Sequence, residues 1–141
     1  MATAPAHGSP TIIDSEADLL PLLDSVSNLP VDHPLLYLDL EGINLGRHGS
    51  ISILSLHIAS TKTTFLIDIH SLGRAAFATA NNSGISMKSI LESSIVPKVV
   101  FDIRNGSDAL FSLFQIPVDG IKDLQLMELA HRKHRSYLSD L

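Results

Sequence analysis

The stretch Leu35-Leu36-Tyr37-Leu38-Asp39-Leu40-Glu41 carries the most information in this chain. Its apolar start predicts a buried strand, and a strand sends alternate side chains to opposite faces. The leucines at even positions therefore share one face, and Asp39 and Glu41 share the other. The pattern indicates either half of a Mg²⁺ or Mn²⁺ site for phosphodiester chemistry or a strand that ends in a solvated polar turn. On this short pattern alone, the solvated turn is favoured.

The composition is ordinary for a globular protein, and the absence of cysteine excludes several kinds of site. The 141 residues are 45% hydrophobic and 18% charged and include no cysteine, which excludes disulfides, cysteine-ligated zinc and thiol nucleophiles. The net charge of −5 counts modestly against nucleic-acid binding through bulk electrostatics, which needs Lys and Arg. No apolar run is long enough to predict a membrane span. An intracellular location, in the cytoplasm or nucleus, fits these features.

The order of predicted elements indicates one α/β domain over residues 11–141, after a disordered lead over residues 1–10. Strands are predicted over residues 11–13, 35–40, 50–59, 63–69, 98–101 and 121–124. Helices are predicted over residues 14–26, 85–93, 105–114 and 126–131, the last ending in the basic patch 131–135. Residues 71–84 are expected to form a polar connection. The fold class is a mixed sheet that begins with an antiparallel three-strand meander and is flanked by helices.

A family resemblance is carried by four segments, namely Leu36–Gly42, Arg47–Leu56, Pro97–Leu110 and Asp123–Ala130. In this order they resemble the DEDD superfamily of 3′–5′ exonucleases. Within it they are similar to the ribonuclease D and Werner-type branch and to the exonuclease-domain-containing group related to Egalitarian. The resemblance implies a ribonuclease H-like fold. It also implies a nuclease in which four carboxylates hold two Mg²⁺ or Mn²⁺ ions across the scissile phosphate.

The resemblance assigns roles to the acidic residues. Asp39 would bridge both metal ions, and Glu41 would bind one of them and help position the nucleophile. Gly106 stands where the second motif of the related group carries its metal-binding Asp. Asp108 and Asp102 lie close by and are the candidates for a third acidic ligand. The alternatives are a solvated acid in the first turn of a helix for Asp108 and a strand-end residue that caps the next helix for Asp102.

The third exonuclease motif, a Tyr or His followed after three or four residues by Asp, is expected well beyond the fourth segment. Tyr137 and Asp140 have only two residues between them and come too early. The domain is therefore expected to be incomplete at its C-terminal end. Two functions follow: a metal-dependent 3′–5′ exonuclease acting on RNA or DNA ends, or a catalytically inactive exonuclease-like domain. The inactive domain would bind nucleic acid or a protein partner, a second copy of the chain included.

Several residues near the motifs are candidates for contact with a nucleic-acid backbone. Arg47 and His48 lie in the turn after the first motif, and Lys98 and Arg104 flank the second. For each, a solvated surface position is the alternative. Phe101 is interpreted as a core residue.

Overall fold

A mixed six-stranded sheet in the order β1-β4-β3-β2-β5-β6 lies at the centre of the protein. The computed structural model describes residues 8–29 and 36–139, with side chains as far as residue 132. The strands are β1 (Thr11–Ile13), β2 (Leu36–Glu41), β3 (Ile53–Ile58), β4 (Thr63–Asp68), β5 (Lys98–Val100) and β6 (Ile121–Asp123). The helices are α1 (Glu16–Ser27), α2 (Ile69–Leu72), α3 (Ala75–Ala78), α4 (Met87–Glu92), α5 (Arg104–Phe114) and α6 (Leu124–Ser139). The predicted mixed sheet flanked by helices is confirmed.

The strand β2 lies in the interior of the sheet. It pairs antiparallel with β3 and parallel with β5, and β3 pairs antiparallel with β4. The predicted antiparallel meander is therefore confirmed. The edge strands β1 and β6 pair parallel with β4 and β5. Because β2 has a neighbour on each side, the residues at its carboxyl end lie away from both edges of the sheet.

One face of the sheet is packed, and it is the face that the leucine pattern predicts. Leu36, Leu38 and Leu40 are buried and lie opposite Ile58, Leu56 and Leu54 of β3. The amphipathic helix α1 begins at Ser15, whose hydroxyl accepts a hydrogen bond from the Asp18 N–H. This helix adds its buried residues, Leu19, Leu22, Leu23 and Val26, to the same core. The opposite face of β2 carries exposed side chains throughout.

Two residues of the second-motif region lie elsewhere than predicted. Phe101 is 67% exposed rather than in the core, because β5 ends at Val100 and Asp102 turns the chain with a φ of 57°. Lys98 is fully buried and therefore does not lie on the surface as a contact to a nucleic-acid backbone. Its amine instead satisfies backbone carbonyl groups inside the protein.

Two predicted boundaries are also wrong. The connection over residues 71–84 contains the helix α3, whose four residues are too few to show a 3.6-residue periodicity. The helix α6 continues through the basic patch to Ser139, because Lys and Arg are good helix formers. Residues 1–7, 30–35 and 140–141 lie outside the described residues, as does the side chain of Tyr137. None of the described helices is both long and apolar enough to span a bilayer.

Candidate functional site

Asp39 and Glu41 are exposed on one face at the carboxyl end of β2, as strand alternation predicts. An Asp39 oxygen accepts a hydrogen bond from the Leu40 N–H at 3.0 Å. Ser55 and Ile53 stand opposite the two acids on β3, so that strand places no positive charge beside them. Two exposed carboxylates on one face are suitable oxygen ligands for a hard divalent cation. The described residues contain no group of three His, Cys, Asp or Glu side chains that could hold a metal ion.

Asp108, the predicted third ligand, is engaged by Arg47. The backbone N–H and Nε of Arg47 donate to one Asp108 oxygen at 3.0 and 3.2 Å, and the guanidinium lies 3.2 Å from the other oxygen. These hydrogen bonds, chiefly the one from the Arg47 side chain, lower the pKa of Asp108. The structure therefore places Asp108 in an ion pair and does not gather it with Asp39 and Glu41 into a metal-binding group.

Gly106 lies on the buried side of α5, directly against β2. A Cβ atom at this position would lie 2.8 Å from Leu40 Cδ1 and 3.6 Å from Leu40 Cβ. Leu40 belongs to the packed face of the strand, opposite to the face of Asp39 and Glu41. The absence of a side chain at residue 106 thus lets α5 approach the strand closely.

The turn over residues 42–50 sets the position of Arg47 and His48. A Cβ at Gly42 would lie 1.8 Å from the Ser50 carbonyl oxygen, and a Cβ at Gly49 would lie 2.0 Å from the Asn44 carbonyl oxygen. Both positions therefore require glycine, because a Cβ atom would overlap a backbone carbonyl oxygen. The closed turn leaves Arg47 against α5 and His48 exposed.

Asp123 organises the turn between β5 and α5, a role that the sequence did not reveal. Its carboxylate accepts from the N–H groups of Asp102, Ile103 and Gln125, each at 3.0 Å. Burial raises the pKa of Asp123, but the hydrogen bonds from these backbone groups outweigh it, so the net pKa is lowered. The available signal was an Asp directly after a short predicted strand.

Arg104 follows this turn and makes a second arginine–aspartate pair. Its Nε and one terminal nitrogen donate to the two Asp102 oxygens at 2.7 and 2.9 Å, which lowers the pKa of Asp102. An open groove of about 660 Å³ lies beside both pairs. It is lined by Arg47, Arg104, Asn105, Ser107, Asp108, Phe111, Pro117 and Val118.

This groove brings together Arg47 and Arg104, both predicted as substrate contacts, with Asp108. It also contains Phe111, which is 61% exposed and was not predicted as a functional residue. The available signal was its position on α5, since Phe111 lies outside the apolar stripe of Ala109, Leu110, Leu113 and Phe114. An exposed ring beside two guanidinium groups gives the groove both apolar and cationic character.

Comparison with known proteins identifies relatives of this chain, although no protein-family model matches it. The mouse piRNA biogenesis protein EXD1 is 35% identical over 89 residues, which are 63% of this chain and 14% of that protein. Trypanosoma brucei RNase D in complex with RNA U12 has a TM-score of 0.66 and 23% identity, over 81% of this chain and 37% of the other. The EXD2 exonuclease domain has a TM-score of 0.64 and 23% identity, over 95% of this chain and 64% of the other.

The likenesses to solved structures confirm the fold that the sequence predicts. The architecture is the ribonuclease H-like fold that the RNase D and EXD2 exonuclease-domain structures also show. The chain spans less than two thirds of each of these relatives.

Proposed function

Because this chain shares the fold of the DEDD-type 3′–5′ exonuclease domains, we propose that it is such a domain and hydrolyses nucleic-acid ends with Mg²⁺ or Mn²⁺. The observation that carries the proposal is the pair Asp39 and Glu41, exposed together at the carboxyl end of an interior strand. The domain is assigned to residues 11–141. The proposed setting is intracellular, in the cytoplasm or nucleus, which suits a chain without cysteine.

In this proposal Asp39 and Glu41 hold the cations, and Asp108 is a further acidic ligand. Cations held there would provide the chemistry that generates a hydroxide nucleophile and stabilises the leaving oxygen of the phosphodiester. Asp108 is held by Arg47 through hydrogen bonds to one oxygen and an ion-pair contact with the other, so this role requires Arg47 to take another partner. A nucleic-acid phosphate is such a partner, because guanidinium groups bind phosphate and carboxylate with the same geometry. His48 and Arg104 are proposed as additional contacts to the backbone.

The relatives support nucleic acid as the substrate and a divalent cation as the cofactor. The RNase D structure contains RNA U12, and EXD2 exonuclease domains were soaked with GMP and either Mn or Mg. These ligands belong to those proteins, and their transfer to this chain is part of the proposal.

The proposal is tested by following the shortening of 5′-labelled single-stranded RNA and DNA on gels in the presence of Mn²⁺. The expected result is a ladder of products shortened from the 3′ end, which EDTA abolishes. Asp39→Asn and Glu41→Gln should remove the ladder. The matched control is Asp14→Asn, because Asp14 is exposed and follows the edge strand β1. A ladder of equal intensity from Asp39→Asn would contradict the proposal.

A second candidate function is an exonuclease-like domain that binds nucleic acid or a protein without hydrolysing it. It is favoured by one arrangement: Gly106 offers no ligand, and Asp108 is held by Arg47. This candidate predicts no ladder in any metal while binding is retained. For a protein partner or a second copy of the chain, the surface to mutate is the exposed apolar row of Leu126, Met127 and Leu129 on α6.

A further inference from the structure

The groove beside α5 holds two arginines that keep donor capacity despite their ion pairs. The Arg47 and Arg104 side chains are 64% and 75% exposed. Arg104 donates from Nε and one terminal nitrogen to Asp102. Arg47 donates from Nε to Asp108 and has one terminal nitrogen in ion-pair contact with the other Asp108 oxygen. A guanidinium has five N–H groups, so three on each arginine have no partner among the described residues. The two guanidinium groups therefore offer N–H donors for oxygen anions in the groove.

Phe111 adds an aromatic face to the same groove. The core of α5 is supplied by Ala109 and Leu110, so the exposed Phe111 ring is not needed for packing the helix on the sheet. Pro117 and Val118 complete the apolar part of the lining.

We propose that this groove binds single-stranded nucleic acid, with Arg47 and Arg104 on phosphates and one base stacked on Phe111. The inference rests on the proposed function for the class of ligand and adds the surface that holds it. Aromatic platforms flanked by cations are the general means of binding single strands. The bases of a duplex stack on one another and offer no free face to the ring, so the groove selects the single-stranded form.

The groove is connected to β2 through the contact between α5 and the packed face of that strand. Asn105 and Ser107 line the groove, and Gly106 between them lies against Leu40. Leu40 in turn separates Asp39 from Glu41. The groove is therefore built on the helix that packs against the carboxyl half of β2.

The test is fluorescence anisotropy with labelled single-stranded oligoadenosine, in EDTA so that metal binding plays no part. Phe111→Leu keeps an apolar side chain but removes the ring, and we expect about five- to hundredfold weaker binding. Phe111→Tyr keeps the ring and should bind within about twofold of wild type. Arg104→Gln should weaken binding, whereas Arg132→Gln, a matched change of an exposed arginine on α6, should not. Two phosphate contacts predict about sevenfold weaker binding at 200 mM than at 50 mM salt.

The inference is overturned if Phe111→Leu binds like wild type, or if Leu and Tyr at this position weaken binding equally. Thermal unfolding of each variant identifies loss of fold, which the exposure of Phe111 makes unexpected. Binding by the groove without any 3′ ladder would support the inference and count against the proposed exonuclease. A 3′ ladder that is identical in wild type and Phe111→Leu would support the proposed exonuclease and count against the binding of nucleic acid by the groove.

Discussion

Lys98 shows how a single charged residue supports the site without touching it. Its Nζ is fully buried and donates to the carbonyl oxygens of Ile90 and Ser93, both at 2.7 Å. These carbonyls lie at the end of α4, so the amine joins that helix to the start of β5. Burial lowers the pKa of Lys98 to about 8, although the charge of Asp119 opposes the shift. The residue therefore carries a proton at neutral pH at a cost to stability.

Because the pKa of Lys98 is lowered, we expect the free energy of unfolding to be larger at alkaline pH than at neutral pH. Between about pH 8 and the ordinary lysine pKa, the unfolded chain keeps a proton that the folded chain has released, so the free energy of unfolding rises with pH. We expect wild type to gain about 1–3 kcal/mol relative to Lys98→Met between pH 7 and pH 10. Urea denaturation of both proteins at each pH measures this difference. A difference that stays constant with pH would show that Lys98 titrates normally.

At the scale of elements, the contact between α5 and β2 decides how closely the second-motif helix approaches the two acids. Gly106 touches Leu40, and the other buried residues of α5, Ala109 and Leu110, continue the contact with the core. A larger residue at position 106 must displace Leu40. Gly106→Asp, which places the acid that the resembled exonuclease motif carries at this position, would therefore disturb packing as well as add a carboxylate.

A double-mutant cycle tests this contact. Overpacking a core contact costs about 1–3 kcal/mol. The higher helix propensity of Ala relative to Gly offsets about 1 kcal/mol of that cost. We expect Gly106→Ala to lower the free energy of unfolding by about 1 kcal/mol in wild type. In a Leu40→Val background, which lacks the Cδ1 atom, the same change should be neutral or stabilising. Equal effects in the two backgrounds would mean that α5 does not rest on Leu40.

Sequence periodicity predicted the strand order of the meander and the exposed face of β2, but it did not predict the partners of the site residues. The alternation in β2 gave the exposed pair Asp39 and Glu41, and the meander followed from the run of β-rich segments. The partner of Asp108 was not predictable, because helical spacing assigns a side chain to a face but not to a partner. Arg47 lies 61 residues earlier in the chain. The exposure of Phe101 was missed for a related reason, since the strand ends where Asp123 of a distant segment binds the following turn.

At the scale of the whole molecule, the sheet separates a packed face from a face that carries the acids. The core helices cover the leucine face, whereas Tyr37, Asp39 and Glu41 are exposed on the other. The net charge of −5 disfavours general attraction to nucleic acid. In the proposed function, binding therefore depends on the local cations Arg47 and Arg104 in the groove and on metal ions held by the carboxylates.

The most direct test of this account is a calorimetric titration with Mn²⁺, because the central claim is that Asp39 and Glu41 bind a divalent cation. Wild type and the Asp14→Asn control should bind Mn²⁺ alike, since Asp14 lies beside an edge strand. Asp39→Asn and Glu41→Gln should each abolish binding, and Asp108→Asn should weaken it if Asp108 leaves Arg47 to join the site. Mn²⁺ binding that is absent from wild type, or unchanged in Asp39→Asn, would contradict the claim.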